Sequence, residues 1–342
     1  MTCEVKMSIA MATFNGGNYL EEQLASLEAQ TVPPHEIVVC DDRSTDQTLN
    51  IISEFINNTS LPVKVYQNWK NLGYAENFLK AASLCTGDWI AFCDQDDVWK
   101  ETKLEKVQNA ITKDDSLLLV THPAELIDER GASLNLIAWP SKRRRYSKFE
   151  LSPWRSGMGC GQVFKACLVK EISYTQRFLT DLNKGSVSAH DDWVLKLSQC
   201  LGPALYLADP LVLRRRHPQS VTAKNRLPVG GCAASISNKS TQKQLRNGIA
   251  LVANRSQVLK DLAESASTRE MATDLQEASR YYEGLAKTLS ARAAWRQMTG
   301  TRRYLSAVGV FVRPTFWTRD SSVAGARGFV RDLLDLFRTG AA

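Results

Sequence analysis

No stretch of this 342-residue sequence stays apolar over the roughly 18 positions that a membrane-crossing helix requires, so no spanning segment is expected. The eight cysteines include no CxxC pair at zinc-site spacing, and Cys40, Cys85 and Cys93 lie in or beside apolar runs. Reduced, mostly buried thiols are expected in place of a disulfide framework. The N-terminus, MTCEVKMSIAMATF, has no basic segment followed by an apolar one and reads as a first strand, not a signal peptide. Cytoplasmic residence is the expectation that follows. Internal repeats and low-complexity tracts are absent. The net charge of +7 comes without a recognised nucleic-acid-binding motif, so nucleic acid is not an expected partner.

What is present is ordinary globular composition, 44% apolar and 23% charged, in a chain long enough for two units. The basic excess gathers in SKRRRYSK (Ser141 to Lys148) and in the arginines of the C-terminal third. It reads either as a solvated surface or as attraction to anionic lipid or a phosphate-bearing substrate, each basic group near such a membrane contributing about 1 kcal/mol. Peripheral contact with the inner face of the cytoplasmic membrane is therefore part of the expected location.

Short apolar runs alternate with amphipathic stretches through the first half, the pattern of a mostly parallel α/β sheet with helices on its faces. MSIAMATF, EIVVCDD, VKVYQN and WIAFCD read as strands; NYLEEQLASLEAQ, STDQTLNIISEFI and AENFLKAASLC read as the helices between them. Asn18 with Glu21, and Ser44 with Gln47, are spaced as capping boxes. In the second half LLLVTH, GMGCGQVF, ALYLAD and LVLRRRH read as strands, and DDWVLKLSQCL as a helix with acids in its first turn. The expected division is a catalytic domain over 1–220, a Ser/Asn/Gly/Lys-rich linker over 221–240, and a helical region over 241–342 that associates with membrane or partner.

The chemistry concentrates at strand ends, where open α/β sheets bind ligands. WIAFCDQDDVW places Asp94, Asp96 and Asp97 within four positions. Like charges this close cost free energy unless a cation sits among them. Asp94 and Asp96 at a strand-to-turn junction suit Mg2+ or Mn2+, which typically takes one or two carboxylates plus substrate phosphates. The plainer reading is an acidic turn with Asp97 capping a helix. Asp41 and Asp42 end a neighbouring strand, and a carboxylate there accepts the imide N–H of a uracil or thymine ring.

Four segments, ATFNGGNYLEEQLASLEAQT, EIVVCDDRSTDQT, NLGYAENF and GDWIAFCDQDDVW, occur in that order over about the first 100 residues. Together they resemble the signature of family 2 glycosyltransferases of GT-A fold: a Rossmann-like, mostly parallel nucleotide-sugar-binding domain, here followed by a helical C-terminal region. That resemblance implies Thr13, Asn15, Asp41 and Asp42 at the nucleoside, Asn71 and Gly73 lining or bracing the donor pocket, and Asp94 and Asp96 at the metal and diphosphate. Gln95 between them joins the donor-binding set. AHDDWVL resembles the His-Asp-x-Trp element of a subset in bacterial surface-polysaccharide assembly, including rhamnosyltransferases, and implies Asp191 as catalytic base with Asp192 as its rival. LRRRHPQS matches a Tyr-Arg-x-His element except that Leu213 replaces the tyrosine, implying Arg215 at the donor phosphates and His217 as a third metal ligand or a contact to the diphosphate.

The implied activity is inverting, metal-dependent transfer of one sugar from a nucleoside-diphosphate sugar, dTDP-rhamnose among the candidates, to a growing glycan or lipid-linked acceptor. A second copy of the chain is admitted as a partner. Two alternatives stand beside it. A nucleotidyltransferase would show a basic residue near the glycines after the first strand, which FNGGNYLEEQ lacks. A nucleotide-sugar- or glycan-binding protein without turnover would not need both the paired acids and Asp191.

Overall fold

The computed structural model describes residues 5–139, 142–181, 184–218, 220 and 242–297. The linker expected over 221–240 lies outside the described residues, as does the part of the expected helical region beyond residue 297. The first half runs β1 (Met7–Thr13), α1 (Leu20–Glu28), β2 (Glu36–Asp41), α2 (Thr48–Asn58), β3 (Val63–Gln67), α3 (Tyr74–Leu84), β4 (Trp89–Cys93), β5 (Val98–Trp99) and α4 (Lys103–Ile111). Four strands follow, β6 (Leu119–Thr121), β7 (Ala124–Ile127), β8 (Ser133–Ala138) and β9 (Arg144–Tyr146), then β10 (Gln162–Lys165) and α5 (Cys167–Lys170). The remainder is β11 (Leu179–Asp181), β12 (Ser186–Val187), α6 (His190–Leu201), β13 (Ala204–Tyr206), β14 (Val212–Arg215), α7 (Gln242–Glu264) and α8 (Arg269–Gln297).

One sheet of eight strands, in the order β3-β2-β1-β4-β10-β6-β13-β9, forms the centre. Its β1, β2, β3 and β4 are parallel, while β10 runs antiparallel to both β4 and β6. Strands β1, β2 and β4 are buried along their whole length and mostly apolar, as expected of strands covered on both faces, with the polar exceptions Ser8, Thr13, Glu36 and Asp41 hydrogen-bonded. Their register puts Thr13 beside Asp41 and Met11 beside Cys93. The residues that follow each strand, Phe14, Asp42 and Asp94, therefore emerge at one edge. A smaller sheet, β5-β14-β7-β8, leans against that edge and delivers the residues after β14 to it.

Several capping expectations are overturned. Asn18 does not cap α1: the helix begins at Leu20 after a turn in which the Tyr19 and Leu20 amides donate to the Gly16 carbonyl. Ser44 and Gln47 form no capping box, because Asp46 receives the Thr48 amide and Ser44 is drawn to Asp41. Asp97 is not a helix cap either; two residues of β5 follow it, and α4 starts at Lys103.

The C-terminal helices are part of the same apolar core. Leu245, Val252, Leu259, Leu275 and Tyr282 join Phe178, Trp193, Leu197 and Cys200 in one buried cluster. The basic run before them is largely spoken for: Arg144 pairs with Glu150, Arg145 with Asp114, and Lys148 with both Asp274 and Glu277 of α8. These pairs favour the solvated-surface reading for those three side chains. Among the described residues no helix is long and apolar enough to cross a membrane, and the six described cysteines are all unpaired, five of them buried.

Candidate active site

A pocket of about 530 Å³ opens where β1, β2 and β4 end. It is lined by Thr13, Asn15, Asp42, Asn71 and Gly73, and also by Asp94, Gln95, Asp96 and His217. Backbone geometry explains part of this convergence. Asn15 adopts φ +49°, its amide donates to Ser44 Oγ at 2.9 Å, and its Oδ1 accepts the Thr45 amide at 2.8 Å. The loops after β1 and β2 are thereby sewn together. Gln95 extends the same seam: Oε1 accepts the Phe14 amide at 2.8 Å, and Nε2 donates to the Phe14 carbonyl at 3.0 Å. A Cβ at Gly16 would come within 2.3 Å of Gln95 Oε1, so only glycine lets this seam close.

Asp42 is a structural hub as well as a wall of the pocket. Its Oδ1 accepts from Asn68 Nδ2 and the Leu72 amide, both at 2.7 Å, and Oδ2 accepts the Gly73 amide at 2.8 Å. One acceptor direction on Oδ2 is left for a ligand. Asn71 donates to the Asp42 carbonyl, and Asn77 binds the Cys40 carbonyl. Asp41 is fully buried behind the pocket, accepting from Thr13 Oγ1 and from the Ser44 amide and hydroxyl. It braces the β1–β2 seam and does not line the cavity.

The acids at the end of β4 crowd like charges together. Burial, and then the carboxylates of Asp97 and Asp96, push Asp94 well above the usual carboxylate range. Burial and Asp96 likewise push Asp97 up to about 6. Arg214 is the nearby counter-charge, held above its ordinary value by these acids in spite of its own burial. His217 Nε2 lies 2.7 Å from Asp96 Oδ2, with the Tyr19 ring 4.9 Å from the imidazole. Asp94, Asp97 and Cys160 offer donor atoms within 4.8 Å of one another. The structure thus draws Asp96 and His217 together as a pair, and groups Asp94 with the two buried residues behind it.

The donor chemistry fits a divalent cation: two pocket-lining carboxylates, one of them paired with an imidazole. The Cys160 thiol is a poor candidate ligand, since burial drives it well above its ordinary value and keeps it protonated.

Arg215 does not line the pocket. Its Nε donates to the Asp96 carbonyl at 3.1 Å, Nη1 to the carbonyls of Asp128 and Glu129, and Nη2 to Glu22, while the Tyr19 ring lies under the guanidinium. It clamps the acidic turn from behind. The placement corrects the expectation of a donor-phosphate contact.

Asp191 and Asp192 open α6 and differ in their surroundings. Asp192 accepts from Lys196 Nζ at 2.9 Å, and that buried lysine also donates to the Arg155 carbonyl. Asp191 Oδ1 accepts the Asp192 amide at 2.8 Å. Burial, helped by Asp192, pushes the Asp191 carboxyl up to about 6. Its field reaches both Asp94 and Tyr74, two residues of the pocket wall. His190 turns away from chemistry: it stacks on Phe78 at 4.0 Å, and burial holds it neutral, near 3.

Phe14, Tyr74 and Tyr19 also stand on the pocket wall. Phe14 and Tyr74 are about half exposed, unusual for large aromatic side chains at the mouth of a buried sheet. The signal for Phe14 was its place between Thr13 and Asn15. Tyr19 had none, because its partner His217 is about 200 residues away in the chain.

Comparison with known proteins gives a consistent result. Residues 8–171 match the family model described as glycosyl transferase family 2. Among curated relatives, the uncharacterized protein Rv1520 of Mycobacterium tuberculosis is 25% identical over 219 residues, 63% of this chain and 60% of that protein. The chain thus spans about 60% of the length of the first relatives it matches. The dTDP-rhamnosyl transferase RfbG of Shigella flexneri is 29% identical over 229 residues, 63% of this chain and 74% of that protein. The solved structure of S. aureus TarS residues 1–349 with UDP-GlcNAc aligns with 98% of this chain and 92% of that one, at TM-score 0.52 and 18% identity. At that identity the likeness speaks for the fold.

Proposed function

Because this chain belongs to glycosyl transferase family 2 through residues 8–171, we propose that it transfers one sugar from a pyrimidine nucleoside-diphosphate sugar to a glycan acceptor. The observation that carries the reading is a single 530 Å³ pocket walled both by the nucleoside-type contacts Thr13, Asn15, Asp42 and Asn71 and by the acids Asp94 and Asp96. A base candidate, Asp191, stands close enough to those acids to feel their charge. The two alternative activities account less well for this: neither a nucleotidyltransferase nor a simple binding protein needs a carboxylate raised toward neutrality beside the donor acids.

In the proposed reaction the acceptor hydroxyl oxygen attacks the anomeric carbon as the bond from that carbon to the diphosphate oxygen breaks, inverting the centre. Asp191 takes the hydroxyl proton, a role suited to a carboxylate whose pKa lies near the working pH. Asp94 and Asp96, with His217 on Asp96, would hold Mg2+ or Mn2+. When bound, such a cation offsets the charge that grows on the leaving diphosphate. Asp42, Asn71 and Gly73 fix the nucleoside end, so the anomeric carbon is presented toward Asp191.

The relatives named above point to two donors, dTDP-rhamnose from RfbG and UDP-N-acetylglucosamine from TarS. A thermal-shift panel of UDP-, dTDP- and GDP-sugars with Mn2+ or Mg2+ distinguishes them, since a ligand at 100 times its Kd stabilises by about 2.7 kcal/mol. No shift with any nucleotide sugar, with either metal, would sink the reading.

A further inference from the structure

The outer edge of the central sheet is bare on the β3 side. Among the described strands β3 pairs only with β2, and its residues from Lys64 to Gln67 are all exposed. Val65 and Tyr66 keep 37% of their surface in water, and Trp69, two residues beyond the strand, keeps 76%. An indole left in water forgoes the burial that such a side chain normally contributes, and three large apolar side chains within five positions mark an interaction surface.

Trp69 is held in this exposed position from both sides. Its neighbour Asn68 is buried: the Asn68 amide donates to the Asp41 carbonyl at 2.8 Å, and its side chain joins Asp42, Asn77 and Lys80. Arg43, at φ +68°, donates through Nη1 to the Trp69 carbonyl at 3.0 Å. An anchor already fixed in place loses little freedom on docking.

Charge decides what the surface fits. From Thr59 to Ala75 the sequence holds two lysines and no acid. Lys70 Nζ lies over the Trp69 ring at 4.8 Å, and Arg43 is bound to the same residue's backbone. Both cations are exposed, and among the described residues neither has an acidic partner. The run at 144–148 differs, because its Arg144, Arg145 and Lys148 are spent on acids. Indole and phenol rings flanked by basic groups suit a phospholipid headgroup layer, where the rings sit at the boundary and the cations meet phosphate. A contact at that depth also leaves the outer backbone of β3 hydrated. A second copy fits less well: in a symmetric contact centred on Trp69 the cations would meet their own counterparts, and Pro62 and Lys64 are residues that guard an edge against strand pairing.

We propose that the β3 edge and the Trp69 loop are a docking surface for an anionic phospholipid membrane, with Trp69 as the anchor and Lys70 and Arg43 as its headgroup contacts. Asn71 and Gly73, a few residues on, wall the large pocket, so docking here would hold the mouth of that pocket close to the lipid surface. The surface stands apart from the donor reading and does not depend on it.

The test is co-sedimentation of the full chain with vesicles of phosphatidylcholine alone, or with about a third of the lipid replaced by phosphatidylglycerol, with UDP affinity measured separately. Wild type should bind the anionic vesicles about tenfold or more tightly than the neutral ones, and lose that preference as salt rises. Trp69→Ala should weaken the binding about tenfold, and Lys70→Gln about fivefold, the loss of one cation near an anionic surface. Neither side chain lines the pocket, so UDP affinity should be unchanged in both. Brominated phosphatidylcholine in the same vesicles should quench tryptophan emission in wild type and leave Trp69→Phe unquenched. No binding to anionic vesicles would overturn the proposal and leave the patch to an acidic protein. Equal binding to neutral vesicles, or binding that survives both substitutions undiminished, would overturn it as well, the latter by moving the contact elsewhere on the chain. Vesicle binding that responds to Trp69→Ala in a protein blind to UDP would uphold this surface and overturn the nucleotide-sugar reading instead.

Discussion

Lys196 Nζ donates to Asp192 Oδ1 at 2.9 Å from a position only 2% exposed, and Asp192 is the immediate chain neighbour of Asp191. The pair sorts two adjacent acids into different jobs. Asp192 neutralises a buried lysine, while Asp191 is raised toward neutrality and reached by the fields of the pocket. Asp191→Asn should therefore lower kcat by about 10²–10⁴-fold with donor Kd little changed, the loss expected of a general base. Asp192→Asn should act on the fold: stranding Lys196 costs about 3–5 kcal/mol. Steady-state kinetics and urea melts on both variants test this; a larger kcat loss in a stably folded Asp192→Asn would exchange the two assignments.

The raised carboxyl of Asp191 also sets a pH dependence. A base works only when ionised, so kcat at saturating donor should climb about tenfold per pH unit below about 6 and level off above it. A profile that is flat from pH 5 to 8, or one whose acid limb persists in Asp191→Asn, would remove Asp191 from proton transfer.

Chelation should abolish most of the nucleotide-sugar thermal shift, and Mn2+ or Mg2+ should restore it. Asp96→Asn and His217→Ala act on the same pair and should each weaken cation affinity, by about 10–100-fold for the histidine. Isothermal titration of Mn2+ in the presence of UDP measures this directly. Full nucleotide affinity in excess EDTA would show the acids to be doing something else.

Tyr282 of α8 is 1% exposed and shares a cluster with Trp193 and Phe178 around α6. Tyr282→Ala should cost about 3–5 kcal/mol, in the range of large aromatic truncations. Removing everything after residue 240 should uncover that cluster and yield aggregating protein instead of a donor-competent domain. A soluble, cooperatively melting 1–240 fragment that binds UDP would show the helices to be an appendage, the division expected from composition alone.

Much of the first half was legible because its determinants are local. A strand buried on both faces is mostly apolar, so MSIAMAT, EIVVCD and WIAFC reveal the strands, and the acids at their ends mark the edge where Asp42 and Asp94 stand. Parallel register then brings those strand ends level. Ser44 is spaced as a cap, yet its hydroxyl donates to Asp41 and accepts the Asn15 amide from the loop after β1, and its spacing to Gln47 carries no trace of that choice. The Arg-x-His resemblance implies Arg215 at the donor phosphates, yet which way a guanidinium turns depends on Glu22, Asp96 and Glu129 arriving from three other segments. The same holds for the division of labour between Asp191 and Asp192, set by a lysine one helical turn on. Sequence determined which residues stand at the sheet's edge; only tertiary packing decided which have spent their hydrogen bonds on the protein and which still have one to offer, because that depends on neighbours remote in the chain.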